Sequence, residues 1–154
     1  GDMTLRFNNP GVLFATGSAS LRPEFQKVLS EFLPRYIKIL TAEKFRRSIK
    51  EVRIEGHTSS FWGNSSNQEA YFKNMELSQA RTRSTLEYIL KLPELAANAD
   101  WLKAHVTANG LSSSRPIRKS DESIDESASQ RVEFRIVTNA EERMDAIAKG
   151  IAGK

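Results

Sequence analysis

From Phe25 to Leu40 the apolar residues Phe25, Val28, Leu29, Phe32, Leu33, Tyr36, Ile37 and Leu40 recur every three or four positions, the spacing of one buried helical stripe. Pro23 suits the first turn of that helix, whereas Pro34 inside the stripe predicts a kink or a division. The period then changes to two. Val52 and Ile54 alternate with Glu51, Arg53 and Glu55, and Val132, Phe134 and Ile136 alternate with Arg131, Glu133 and Arg135, so both segments predict strands covered on one face. Thr4 to Phe7 and Val12 to Phe14 read as short extended pieces around an Asn8-Asn9-Pro10-Gly11 turn, and Val106 to Ala108 as a further strand. A second helix is predicted from about Ser78 to Lys91, with Thr82, Thr85, Leu86, Ile89 and Leu90 facing the sheet and Pro93 stopping it. Glu94 to Lys103 adds a helical turn or two, with Leu95, Trp101 and Leu102 over one end of the core. Ser112 to Gln130 is rich in serine and acid and short of apolar surface, which predicts a mobile loop. A weakly amphipathic terminal helix is expected over 139–152.

The order strand, helix, strand, helix, strand, strand implies an α/β fold, a two-layer sandwich with two long helices on one face of a mixed sheet of about four strands. With 154 residues and 39% hydrophobic content the chain can build one core and not two, so residues 1–154 read as a single domain. No apolar run approaches the roughly 20 residues that a membrane-spanning helix needs. Gly1-Asp2-Met3 reads as a cloning remnant, and neither signal peptide nor anchor is seen, so any export signal or membrane tether is expected upstream. The absence of cysteine suits an envelope protein and a reduced cytosolic one equally. A formal charge of +4 favours a polyanionic partner. Nucleic acid is disfavoured, because the basic residues are scattered and the densest cluster, Lys44 to Arg47, falls at a predicted helix end, where it complements the dipole.

The densest chemistry lies where the strand ending in Gly56-His57-Thr58 meets Asn74 to Arg81, which reads N-M-E-L-S-Q-A-R. Read as the N-cap of the second helix, Ser78 leaves backbone N–H groups free at a dipole-positive end, and Arg81 follows in the first turn, within reach of the same anion. Such an arrangement builds a carboxylate site. A hydrolytic set of His57, Ser59 and Glu76 is conceivable but poorly spaced, and neither a nucleophile elbow nor a metal-binding helix is present. No enzymatic activity, cofactor or metal is therefore expected.

Gly56-His57-Thr58, then Asn74, Leu77, Ser78 and Arg81, then Gly110 with Pro116, then Arg131-Val132-Glu133 follow in order the pattern G-[HY]-T-D, N-x-x-L-S-x-x-R-[AG], G-x-x-x-x-x-P and N-R-R-V-[ED]. With Leu13-Phe14, Gly17-Ser18-Ala19 and Leu21 ahead of the first helix, the chain resembles the OmpA-like (OmpA/MotB C-terminal) peptidoglycan-binding domain over roughly residues 12–137. The resemblance implies non-covalent binding of a peptidoglycan stem peptide by a periplasmic domain of a cell-envelope protein. Arg81 would clamp a diaminopimelate carboxylate, with the amides near Leu77 and Ser78 donating to it. Asn74 would fix the loop or a ligand amide, and Thr58 would add a hydroxyl contact. Arg131 would serve as a structural ion-pair partner or as a secondary ligand contact, while Gly56 and Gly110 would allow positive φ or close approach.

The family's aspartate, which binds the diaminopimelate ammonium, is replaced here by Ser59. Ser129, Gln130 and Thr82 also depart from the pattern, and the loop between Thr58 and Asn74 is several residues longer. That loop brings Phe61, Trp62, Tyr71 and Phe72, which either stack on sugar rings, with Phe61, Trp62 and Tyr71 as the candidates, or knit the loop into a satellite core. The lost acid leaves a second reading open: an adaptor or assembly domain of a stator-type or other envelope complex, with weakened or altered wall binding, other envelope proteins as partners and, for a stator, a homodimer.

Overall fold

The computed structural model describes residues 4–139 and 147–151. Four strands, β1 (Thr4–Phe7), β2 (Ile49–His57), β3 (Val106–Gly110) and β4 (Arg131–Thr138), form a mixed sheet in the order β1-β4-β2-β3. β2 and β3 run parallel, and the other neighbours are antiparallel. The two long helices are α2 (Pro23–Leu40) and α3 (Asn67–Leu90), so the α/β sandwich is as expected. Along the sheet Leu5, Phe134 and Ile54 lie side by side, as do Phe7, Val132 and Gly56. This row faces the core, where Phe25, Leu29, Leu33 and Ile37 of α2 are buried to 1% or less. Phe7 binds it together, with its ring 5.6 Å from Phe25 and 5.7 Å from Phe134.

Several expectations need correcting. Residues Pro10–Leu13 form a short helical turn, α1, where an extended piece was expected, because Pro10 sits at its start and the Asn9 carbonyl accepts from Val12 N (2.9 Å). α2 passes through Pro34 as one helix. α3 begins at Asn67, about three turns before Ser78. Its cap is Ser66, whose Oγ accepts from Glu69 N at 3.3 Å, and Glu69 adds a negative charge to the first turn. Its buried face is Ala70, Asn74, Ser78, Thr82, Thr85 and Ile89, mostly small and polar, so no apolar stripe announces the first half.

Residues Pro93–Asn98 form a 3-10 turn that leads into α4 (Ala99–His105), with Leu95 and Leu102 buried against the core as anticipated. The stretch expected to be a mobile loop is a bonded excursion. Asp125 N donates to Ile117 O (2.8 Å), Ile117 N to Ser129 Oγ (2.9 Å), and Asp125 caps the short α5 (Glu126–Ser129). Polar bonds hold it where apolar burial could not. Gly1-Asp2-Met3 and most of the expected terminal helix lie outside the described residues, although 147–151 are helical. Among the described residues no helix is long and apolar enough to cross a membrane.

Candidate ligand-binding site

The strand ends and α3 meet through two glycines. Gly56 and Gly110 are paired across β2 and β3, and a Cβ on Gly56 would lie 2.9 Å from both Ser78 O and Thr82 Cγ2. Close approach, and not positive φ, is therefore what both positions require. The contact is locked by Ser112, buried with φ at +54°, whose N–H donates to Ser78 Oγ (3.1 Å), whose hydroxyl donates to Tyr71 O (2.6 Å) and whose carbonyl accepts from Thr58 N (2.9 Å). A left-handed serine costs backbone energy, which these bonds offset.

Arg81 lies above that junction. Its Nε donates to Ser18 O (2.8 Å), its Nη2 donates to Ala15 O (3.1 Å), and the guanidinium stacks 4.8 Å over the Phe14 ring. The arginine thus holds the segment before α2 and borders two clefts, one of about 220 Å³ with Phe14, Arg22 and His57, the other of about 440 Å³. The larger cleft brings together Thr58, Ser59, Phe61, Trp62, Asn74, Leu77 and Arg81, with Thr16, Gly17 and Gln130 opposite. Arg81 makes no ion pair with any carboxylate among the described residues, and burial lowers its pKa to about 10, leaving it cationic at neutral pH. It is a half-buried positive charge, and three of its five N–H groups are not used in the two bonds to Ser18 and Ala15.

Not every anticipated contact is there. Ser78 is fully buried within α3, its hydroxyl donating to Met75 O (3.0 Å) while accepting from Ser112, so it caps nothing. The Leu77 and Ser78 amides belong to the helical ladder and cannot serve an anion; Leu77 gives an apolar wall. Arg131 is buried and braced, with Nε to Glu133 Oε1 (2.7 Å), Nη1 to Ser129 O (3.0 Å) and Nη2 to Arg115 O (3.0 Å), the bonding of a structural ion-pair partner. Asn74 fixes the loop, its Nδ2 donating to Ser59 O (3.1 Å) and Phe61 O (3.0 Å). Thr58 turns its hydroxyl onto Ser59 O (2.8 Å). Tyr71 packs edge-on against Phe72, 5.4 Å away, and takes no part in the cleft. Phe61 and Phe72 stay largely exposed, so the aromatics do not close into a satellite core. Thr16, Ser112 and the carbonyls of Ala15 and Ser18 were not singled out from sequence; backbone acceptors leave no residue-type signal. His57, Ser59 and Glu76 border three different clefts and form no catalytic set.

On the face of the sheet away from α2 and α3 the alternating polar residues form a charge lattice. Glu55 Oε2 accepts from Arg53 (2.8 Å) and Arg135 (3.2 Å), while Glu133 Oε1 accepts from Arg131 (2.7 Å) and Arg6 (2.9 Å). His57 Nε2 is 3.5 Å from Glu55 and 3.8 Å from Glu133. These three could in principle surround a metal ion. Four guanidiniums around two carboxylates already make the cluster cationic, which opposes a metal. Burial pushes both acids up, but the nearby His57 and the bonds from Arg53 and Arg135 at Glu55, and the bonds from Arg131 and Arg6 at Glu133, outweigh it, leaving both below the usual carboxylate range. Acids depressed in the folded state stabilise it above the unfolded value near pH 4.3, and that contribution is lost as pH falls through the folded value. Glu55→Gln should cost on the order of 3 kcal/mol in urea unfolding at pH 7. The deficit should shrink below about pH 4; a deficit constant with pH would contradict this origin.

The sequence profile of the OmpA family matches residues 13–131. Zorya protein ZorB from Escherichia coli is 44% identical over 140 residues, which make up 90% of this chain and 59% of that protein, so the chain spans about three fifths of this relative. A MotB-like protein from Desulfovibrio vulgaris superposes with a TM-score of 0.59 at 27% identity, covering 86% of this chain and 71% of the other. The cell wall anchor of the T6SS from Pseudomonas aeruginosa shares the fold, with a TM-score of 0.54 at 23% identity over 88% of this chain and 80% of its own.

Proposed function

The chain belongs to the OmpA family, and from that premise we propose that the Arg81 cleft holds the free carboxylate of a diaminopimelate-type peptidoglycan stem peptide, anchoring a periplasmic, envelope-tethered protein to the cell wall without catalysis. The observation that carries this reading is the half-buried guanidinium with no acid partner among the described residues, opening on a cleft with donors left over. An unpaired cation in a partly desolvated cleft is relieved by an anion, and charge-assisted bonds to a carboxylate contribute about 1.5–3 kcal/mol each. Thr58 and Ser59 border the same cleft, and Ser59 supplies no charge for the ligand's ammonium, so affinity rests on the carboxylate.

The same missing charge favours a second reading, in which the domain is an assembly part of a stator-type envelope complex and binds the wall weakly. Titration calorimetry with stem tripeptides separates the two. A diaminopimelate tripeptide should bind at least about tenfold tighter than its lysine counterpart, which lacks the side-chain carboxylate. Equal affinities, or no binding of either, would remove the anchoring reading and leave the assembly one.

A further inference from the structure

We propose that the groove leading from the Arg81 cleft across Trp62 to Lys73 is a saccharide subsite, which takes a pyranose ring of the glycan attached to the stem peptide. The inference rests on the reading of Arg81 as the carboxylate clamp. Trp62 borders both the 440 Å³ cleft and a neighbouring one of about 540 Å³, which is lined by Gly17, Ala19, Lys73, Glu76, Leu77 and Ala80. The two clefts adjoin at Trp62, Gly17 and Leu77, which line both. Phe61, 68% exposed, stands beside Trp62 on the Arg81 side.

Phe61 is largely exposed and Trp62 half-buried, and hydrogen bonds fix the backbone of both. The buried Asn74 amide donates to the carbonyls of Ser59 and Phe61, and Ser65 N donates to Trp62 O (2.9 Å) across a turn in which Gly63 takes φ +52°. A ring on a backbone fixed in that way lines the clefts at little further ordering cost. Pyranoses offer a flat C–H face and a rim of hydroxyls, which suits an aromatic plate flanked by Lys73 and Glu76. The reach agrees as well. Lys73 and Arg81 stand eight residues apart on α3, about 12 Å along its axis, and three extended peptide residues span about 10 Å.

The experiment compares, by titration calorimetry, a disaccharide-tripeptide muropeptide with the same tripeptide lacking sugar. Wild type should favour the muropeptide about tenfold over the tripeptide, and Trp62→Ala, compared by the ratio of its two affinities, should erase that preference. Trp62→Phe should keep most of it. In a Trp101→Phe background, the remaining Trp62 fluorescence should shift further with the muropeptide than with the tripeptide. Equal affinities in wild type, or a gain that survives Trp62→Ala, overturns the saccharide subsite while the carboxylate clamp stands. Failure of both ligands to bind overturns both.

Discussion

Gly110→Ala is expected to destabilise the domain by about 3 kcal/mol, near the upper end of what overpacking usually costs. A Cβ there would lie 2.5 Å from Gln79 Cγ and 2.7 Å from Gln79 Cα, and nearer still to Gln79 N. Two of these atoms are helix backbone, so no rotamer change relieves the clash; α3 must lift from the sheet or the strand must bend. Either movement weakens the bonds of Ser112 to Ser78 and Tyr71 and shifts Arg81, two residues beyond Gln79. Urea unfolding should show the loss, and wall binding should fall under conditions where the variant is still folded. A stability change under about 0.5 kcal/mol would show that the helix–sheet contact is slack.

Arg81→Ala is expected to abolish retention on purified wall sacculi and to weaken diaminopimelate tripeptide binding at least about 100-fold, since two charge-assisted bonds disappear together. The residue is also structural. Losing its bonds to Ser18 and Ala15 and its stacking on Phe14 should lower stability by about 2 kcal/mol, so binding must be compared where circular dichroism shows both proteins folded. Arg81→Lys distinguishes the roles: it keeps the charge but loses the planar fork, and should retain weak binding that falls with added salt. If Arg81→Ala binds the tripeptide like wild type, the guanidinium is only a brace for the segment before α2.

Much of this architecture was legible in the residues. The α2 stripe and the alternation in β2 and β4 report local periodicity, and periodicity survives into the structure because each element needs one apolar face. The first half of α3 was not legible. Its buried face of Ala70, Asn74 and Ser78 meets a sheet thinned by Gly56 and Gly110, so packing there is achieved by close approach and leaves no hydrophobic signal. The missed capping pair, Ser66 with Glu69, was the available cue. Ser78 was misplaced as a cap for the same reason, and with it the free amides on which the first carboxylate geometry relied.

By itself the sequence determined the family and the two-layer α/β plan, since these depend on local pattern and on ordered motifs, and it singled out Arg81 as the candidate residue. Tertiary structure alone decided how that arginine is held and what is left of it to act. The carbonyls of Ala15 and Ser18 that grip it, the αL Ser112 beneath it and the turn that displays Trp62 are main-chain features brought together across long stretches of chain, and main-chain groups are alike in every residue until the fold gives them positions.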